Sequence, residues 1–209
     1  GSYKQGEAIV ITANTSEAIQ SGNTITVTLD STDTVVLLTA PSAGTTLVGT
    51  YTVGATDTSA GLTVSSFSIG TVADTAGNAM SSTTLPAASS IFGTKTIIID
   101  TTAPTGAITY SAASPYKQGA TATVTATFTE ALTTTPKIAI SGVSSVAATN
   151  MSGSGTTWTY AYTAPAGNGI DTFAFSVGTD ASGNTVTAAP TSGATVTVDN
   201  TAPTVSAVT

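Results

Sequence analysis

An internal repeat constrains the fold of this 209-residue chain more than any other feature. The motif Tyr-Lys-Gln-Gly at residues 3–6 occurs again at 116–119, which is 113 residues later. Two further motifs occur twice in the same order: Asp-x-x-Gly-Asn at 74–78 and 180–184, and Asp-x-Thr-Ala-Pro at 100–104 and 199–203. Self-similarity at such a period is typical of tandem units that share one fold.

The repeated segments carry the pattern of β-strands. Alternating apolar and polar residues, many of them β-branched, predict strands in the first repeat at 8–14, 24–29, 46–53, 61–69 and 94–100. A continuous apolar run predicts another strand at 34–39. The second repeat has seven predicted strands: 106–110, 121–128, 137–141, 145–151, 157–163, 172–179 and 194–199. No window has a helical period. We therefore expect an all-β chain of two tandem immunoglobulin-like β-sandwiches with Greek-key connections and about seven strands each.

The repeats do not coincide with the ends of the sequence. Pro104 lacks an amide donor and favours an extended residue before it, so we place the domain boundary there: repeat 1 at 1–101 and repeat 2 at 102–199. The second repeat has a strand before its Tyr-Lys-Gln-Gly motif, whereas the first has no room for one. Residues 200–209 are expected to form a linker and the first strand of a following repeat, with 204–208 available to pair with another molecule.

Composition excludes several functions. The net charge is −7, and the four basic residues are all lysines, so the chain lacks the basic stripe that binds nucleic acid or an anionic membrane. No apolar stretch of about 20 residues is present to insert into a membrane. Histidine and cysteine are absent, which removes the usual activated nucleophiles, and the acids are distributed over predicted turns. We predict that the protein is not an enzyme.

A calcium site is predicted where the repeats meet. In a seven-strand sandwich, the loops after the second and sixth strands lie at the pole where the chain enters the domain. Glu130 and Asp180 are assigned to those loops, and Asp100 ends the preceding repeat. Carboxylate, amide and carbonyl oxygens are the ligands that Ca²⁺ prefers, so Asn184 and nearby backbone oxygens are expected to complete the shell.

Other acids have weaker predictions. Glu17 and Asp74 would form an incomplete site in the first repeat, and Asp199 would serve a following repeat. The alternative for both Asp-x-x-Gly-Asn motifs is an ordinary turn, in which Asp bonds its own backbone and Gly adopts a positive φ. The remaining predicted-turn acids are interpreted as solvated: Asp30, Asp33, Asp57 and Asp171.

Aromatic residues offer one further candidate. Trp158, Tyr160 and Tyr162 alternate on one face of a predicted strand. Core packing is the favoured interpretation, and a platform for a sugar or protein ligand is the alternative.

These motifs resemble those of the bacterial Ig-like tandem repeats of large secreted and cell-surface adhesins. The resemblance covers both repeats and rests on the Asp-x-Thr-Ala-Pro linkers, the Asp-x-x-Gly-Asn turns and the Glu that follows the second strand. It implies an extracellular stalk that extends an adhesive tip, with Ca²⁺ at its domain junctions and adjacent repeats of the same polypeptide as partners. Alternatives are a filament or surface-layer subunit joined head-to-tail by strand exchange, and a carbohydrate- or protein-binding module.

Overall fold

The computed structural model describes residues 1–31, 35–88, 92–93 and 95–209, and these residues form an all-β structure without an α-helix. The chain divides into two compact units, Gly1–Thr101 and Thr102–Thr209. The described part of the first unit contains seven strands: β1 Ser2–Tyr3, β2 Ala8–Ile19, β3 Thr24–Leu29, β4 Val35–Thr39, β5 Gly44–Thr52, β6 Val64–Ile69 and β7 Ile98–Ile99. The second unit also has seven: β8 Gly106–Tyr110, β9 Thr121–Leu132, β10 Lys137–Gly142, β11 Ser145–Asn150, β12 Ser152–Thr163, β13 Gly169–Ser176 and β14 Thr195–Val198.

The second unit has two sheets, with strand orders β12-β9-β8 and β11-β10-β13-β14. Residues alternate between buried and exposed along β9, as expected for strands with one face in a core. Val124 and Phe128 from the first sheet share a single buried cluster with Ile138 and Phe173 from the second. This arrangement is consistent with a β-sandwich.

The first unit has a five-stranded sheet in the order β2-β5-β4-β3-β6 and a short parallel pair of β1 with β7. Its buried cluster includes Ile11, Leu29, Leu47 and Tyr51. The strands β4 and β5 are joined through one residue pair, Thr39 with Val48.

The two units repeat the same backbone contacts. The Gly6 amide donates to the Val53 carbonyl at 2.9 Å, and 113 residues later the Gly119 amide donates to the Ala164 carbonyl at 3.0 Å. The Asp100 amide bonds the Tyr3 carbonyl at 3.0 Å, as the Asp199 amide bonds the Tyr116 carbonyl at 2.9 Å. The sequence repeat is therefore also a structural repeat.

One edge differs between the units. In the second unit β8 pairs with β9 through five residue pairs, from Gly106 opposite Phe128 to Tyr110 opposite Val124. In the first unit β2 is the counterpart of β9, and among the described residues it is the last strand of its sheet. The position that β8 occupies in the second unit has no strand in the described part of the first.

The predicted strand bounds agree best where a strand is flanked by turns. The bounds of β3 and β8 are those predicted. The strand β4 begins at Val35, and residues 32–34, which include Asp33 and the predicted start of this strand, lie outside the described residues. The strands β2 and β9 run past their predicted ends, so the placement of Glu17 and Glu130 in loops was wrong. The pairing register shifts around both glutamates, between Asn14 and Ile19 of β2 and between Thr127 and Leu132 of β9. Where the pairing register shifts, the end of a strand can contain the polar residues that are typical of a loop.

Candidate metal centre

Three acidic side chains lie close together. Asp100, Glu130 and Asp180 each offer a carboxylate oxygen, and these oxygens lie within 4.8 Å of one another. Asp180 is buried, and the other two residues are half-buried. These three residues, all among the predicted ligands, are thus an acidic cluster that could hold a metal ion.

Each member of the acidic cluster is held by a different element. Asp100 follows β7, where its amide bonds the Tyr3 carbonyl. Glu130 lies within the irregular end of β9. Asp180 begins the turn after β13, and its carbonyl accepts the Thr133 hydroxyl at 2.8 Å. Thr133 directly follows β9, so this bond fixes the Asp180 turn against the strand that carries Glu130. Thr133 was not singled out from the sequence, because a threonine after a strand has no distinctive pattern.

The Asp180 turn organises its own carboxylate. One oxygen, Oδ1, accepts the amides of Ser182 at 2.8 Å and Asn184 at 2.9 Å. The other, Oδ2, accepts the Asn184 side-chain amide at 2.9 Å. Gly183 has a φ of 87°, which a turn of this kind requires. The Asn184 side-chain nitrogen donates to Asp180, so the side-chain oxygen is the atom of this amide that could bind a metal.

The first unit contains the same turn. The Asp74 carboxylate accepts the amides of Ala76 and Asn78 at 2.9 and 2.8 Å and the Asn78 side chain at 2.7 Å, and Gly77 has a φ of 96°. The Asn78 side-chain bond, followed by the backbone bonds, lowers the pKa of Asp74, since hydrogen bonds to a carboxylate favour its charged form. The turn interpretation is confirmed for both motifs.

The donors of the acidic cluster fit a hard divalent cation. All three are carboxylates, and no thiol or imidazole exists in the chain to favour a softer metal. An ionised carboxylate has about four lone-pair sites, and the turn uses three of those on Asp180. Three acids provide fewer than the 6–8 oxygens that Ca²⁺ takes, so carbonyl groups and water would supply the rest.

The other predicted ligands do not form a second cluster. Glu17 and Asp74 both line an apolar groove of the first unit, here called the β2 groove, whose buried walls include Ile11, Leu38 and Leu47. In the described ranges no third acid joins them. Asp199 is exposed, and its carboxylate accepts the Thr201 amide at 2.9 Å.

The interpretation of Asp57 and Asp171 as solvated was wrong. Asp57 is buried and accepts the Tyr51 hydroxyl at 2.7 Å and the Gly54 amide at 2.8 Å. Asp171 is fully buried and bonds Tyr162 and Ser144. A buried carboxylate requires such donors, and they are contributed by segments that the sequence does not reveal as neighbours.

Asp30 is exposed as predicted, although its carboxylate is not without partners. It accepts the Thr63 amide at 2.8 Å and the Ser59 hydroxyl at 3.4 Å. These bonds tie the end of β3 to the segment that precedes β6.

The aromatic face of β12 belongs to the core. Trp158 and Tyr162 are buried, and Tyr160 packs against the same cluster. The Trp158 indole donates to the Gly155 carbonyl at 3.0 Å. Core packing is therefore confirmed, and the ligand-binding alternative loses the surface on which it rested.

No protein-family model matches the chain, and no curated protein matches it at a significant level. Among the described residues, no helix is both long and apolar enough to cross a membrane.

Proposed function

We propose that the two units are extender repeats of a bacterial cell-surface adhesin, with an immunoglobulin-like fold. The observation that supports this most directly is that the two units repeat the same structural features in the same order. The Asp-x-x-Gly-Asn turn, the buried Tyr–Asp pair and the Tyr-Lys-Gln-Gly segment recur in both units with the same hydrogen bonds. A stalk needs many copies of one stable module, whereas a catalytic or recognition site needs one distinctive surface.

The polar groups of the core favour a structural role over an enzymatic one. The carboxylates of Asp57 and Asp171 are engaged by tyrosines of their own unit, so each completes a closed hydrogen-bonded network. Catalytic acids require access to substrate and a proton to exchange with it. We therefore propose a non-enzymatic protein of the extracellular surface.

We further propose that the acidic cluster binds Ca²⁺. Three carboxylates with oxygens within 4.8 Å repel one another, and a divalent cation converts that repulsion into attraction. Bound Ca²⁺ would hold the end of the first repeat, at Asp100, to the strand and turn of the second repeat that carry Glu130 and Asp180. An extended array benefits from such ties, because they limit bending between modules.

Thermal unfolding with and without Ca²⁺ tests the metal proposal. A ligand that binds only the folded state stabilises it by about 2.7 kcal/mol at a hundredfold excess over Kd. We expect millimolar Ca²⁺ to raise the Tm of the native chain, and Asp100→Asn to reduce that rise. Asp199→Asn is the matched control, because Asp199 occupies the same motif position but lies outside the acidic cluster. An absent calcium response, or equal losses in both variants, would contradict the proposal.

Single-molecule extension tests the stalk proposal separately. Two independently folded repeats should unfold in two events, each extending about 100 residues to a length of roughly 33–36 nm at ~3.3–3.6 Å per residue. A single event of twice that length would show one cooperative body and would contradict a chain of separate extender modules. The spacing of the events does not depend on calcium, so this result stands apart from the metal test.

A further inference from the structure

Residues 199–203 follow β14 and are here called the connector. The Asp199 amide donates to the Tyr116 carbonyl at 2.9 Å, so the connector begins bonded to the second unit. The Thr201 amide donates to the Asp199 carboxylate at 2.9 Å, which closes a turn of the kind that Asp forms with the amide two residues later. Two bonds therefore fix the backbone on either side of Asn200.

Asn200 itself is bonded to two separate loops of the second unit. Its backbone amide donates to the Asn168 side-chain oxygen at 2.5 Å, and its side-chain oxygen accepts the Gln118 backbone amide at 2.5 Å. Its side-chain nitrogen donates to the carbonyl of Gly167 and, at 3.4 Å, to that of Pro165. An asparagine side chain provides an acceptor and two donors, and here both its oxygen and its nitrogen have partners.

The first unit uses the same position of the motif Asp-x-Thr-Ala-Pro in a related way. There the residue at x is Thr101, and its hydroxyl donates to the Asp57 carbonyl at 3.2 Å. Asp57 is the equivalent of Asn168, because each lies four residues after the carbonyl that accepts the glycine amide of the Tyr-Lys-Gln-Gly motif. The residue at x therefore bonds the same loop in both units.

We propose that Asn200 is a positioning residue that fixes the direction in which the chain continues from the second unit. The residue at x of the motif thereby determines how firmly a repeat holds its connector, through a hydroxyl at Thr101 and through a side-chain amide at Asn200. The inference deepens the extender proposal and rests on it, because a stalk keeps its shape only where its connectors resist bending. It does not depend on bound calcium.

Several bonds on one side chain are needed to order the connector at this position. Asn200 is exposed, and an isolated hydrogen bond at an exposed site contributes little, because water replaces either partner. The loss of side-chain entropy is incurred once, when the amide is oriented, and its bonds to both loops then form in that one orientation. We therefore expect asparagine at x to hold the connector more firmly than threonine.

The end of the connector keeps the direction that is set at Asn200. The Pro203 ring fixes its own φ and disfavours the helical region for Ala202, so Ala202 stays extended. Both residues are exposed, and Ala202 follows Thr201 directly. The restricted backbone therefore runs without a break from Asp199 to Pro203.

Backbone amide NMR relaxation of the native chain and of Asn200→Thr tests the inference. The variant carries the residue that the first unit has at x, so it removes the side-chain amide and keeps a hydroxyl. We expect order parameters of about 0.85 at Thr201 and Ala202 in the native chain and a fall below about 0.6 in the variant. Unchanged chemical shifts in β9 and β13 show that the unit remains folded. A mobile connector in the native chain, or equal order parameters in the two chains, would overturn the proposal.

Gln118→Ala is the matched control. Gln118 is exposed, and it bonds Asn200 through its backbone amide, which the substitution keeps. The control should therefore leave the order parameters of Thr201 and Ala202 unchanged, and a fall equal to that in Asn200→Thr would contradict the role of the Asn200 side chain. Failure of the extender proposal is distinguishable, because single-molecule extension would then show one event while the connector stays ordered.

Discussion

The Tyr162 hydroxyl donates a 2.8 Å hydrogen bond to the carboxylate of Asp171, whose side chain is fully buried. The first unit contains the same relationship, with Tyr51 and Asp57 joined at 2.7 Å. Tyr51 and Tyr162 occupy equivalent places, because their cross-strand partners Ile9 and Ala122 are 113 residues apart. A buried acid bonded by a core tyrosine is therefore a property of the repeat and not of one unit.

Removing either tyrosine hydroxyl should destabilise the unit that contains it. Tyr162→Phe keeps the ring but deprives the Asp171 carboxylate of a donor, which typically costs about 1–3 kcal/mol. Denaturant unfolding should show this loss in the second unit, and Tyr51→Phe should show it in the first. Tyr160→Phe is the control on the same strand, because Tyr160 is only partly buried. Equal losses of unfolding free energy in Tyr160→Phe and Tyr162→Phe would show that the buried Tyr162–Asp171 bond contributes no more to stability than the Tyr160 hydroxyl.

The second unit should lose stability at alkaline pH. Burial raises the pKa of Tyr162, and its hydrogen bond to Asp171 and the charge of Asp171 raise it further. Burial also raises the pKa of Tyr110 and of Tyr116. A raised pKa means that the folded state keeps the proton that the unfolded chain releases at pH ~10. Stability is therefore complete below that pH and is lost as the pH rises above it.

Absorbance of tyrosinate and circular dichroism, measured together, check this expectation. These three tyrosines should ionise only as the second unit unfolds, and Tyr162→Phe should flatten the decline of unfolding free energy above pH ~10. Ionisation of all six tyrosines near their ordinary pKa, with the fold intact, would contradict it.

The Asp74 turn should reveal itself in an acid titration. The Asn78 side chain is the largest cause of the lowered pKa of Asp74, so Asn78→Ala should move the titration midpoint upward. Carboxyl-carbon NMR measures this directly. Thr75→Ala, a change in the same turn that leaves the Asp74 bonds in place, should leave the midpoint unchanged. An unchanged midpoint in Asn78→Ala would show that the backbone amides alone hold the charge.

Gly106 should tolerate no side chain. Gly106→Ala forces a methyl group against the Phe128 and Phe175 rings, and overpacking of this kind costs about 1–3 kcal/mol. Gly44→Ala is the contrasting change, because no atom lies within 4 Å of a Cβ placed there. Chemical denaturation should show a loss for the first variant and little change for the second. A neutral Gly106→Ala would mean that β8 shifts readily to make room for the methyl group.

Much of the fold could be predicted because its determinants are local. Alternating β-branched residues indicate strands wherever one face is buried, and β3 and β8 have their predicted bounds. The ends of β2 and β9 could not be predicted, because a register shift allows polar residues such as Glu17 and Glu130 to remain in a strand. Local polarity does not reveal whether a neighbouring strand continues to pair.

The acidic residues also divide into those whose environment could be predicted from the sequence and those whose environment could not. Asp100, Glu130 and Asp180 could be predicted as ligands of one site because their motifs recur in a fixed order, and their carboxylate oxygens lie within 4.8 Å of one another. Asp57 and Asp171 could not be recognised as buried, since their tyrosine partners lie on a strand at 6 and 9 residues' separation, and neither spacing is a motif. Burial of a charge depends on three-dimensional partners, which a single sequence does not specify.

Removing one charge from the acidic cluster should have opposite effects with and without calcium. Without a divalent cation, Glu130→Gln relieves repulsion between carboxylates whose oxygens lie within 4.8 Å, worth roughly 1–3 kcal/mol, and should raise the Tm in chelator. With millimolar Ca²⁺ the same variant loses a ligand and should be less stable than the native chain. Glu17→Gln is the matched control at the equivalent position of the first unit, where no third acid is present among the described residues, and its small effect should not change sign. A Glu130→Gln variant that is destabilised equally in both conditions would indicate a structural hydrogen bond in place of a metal ligand.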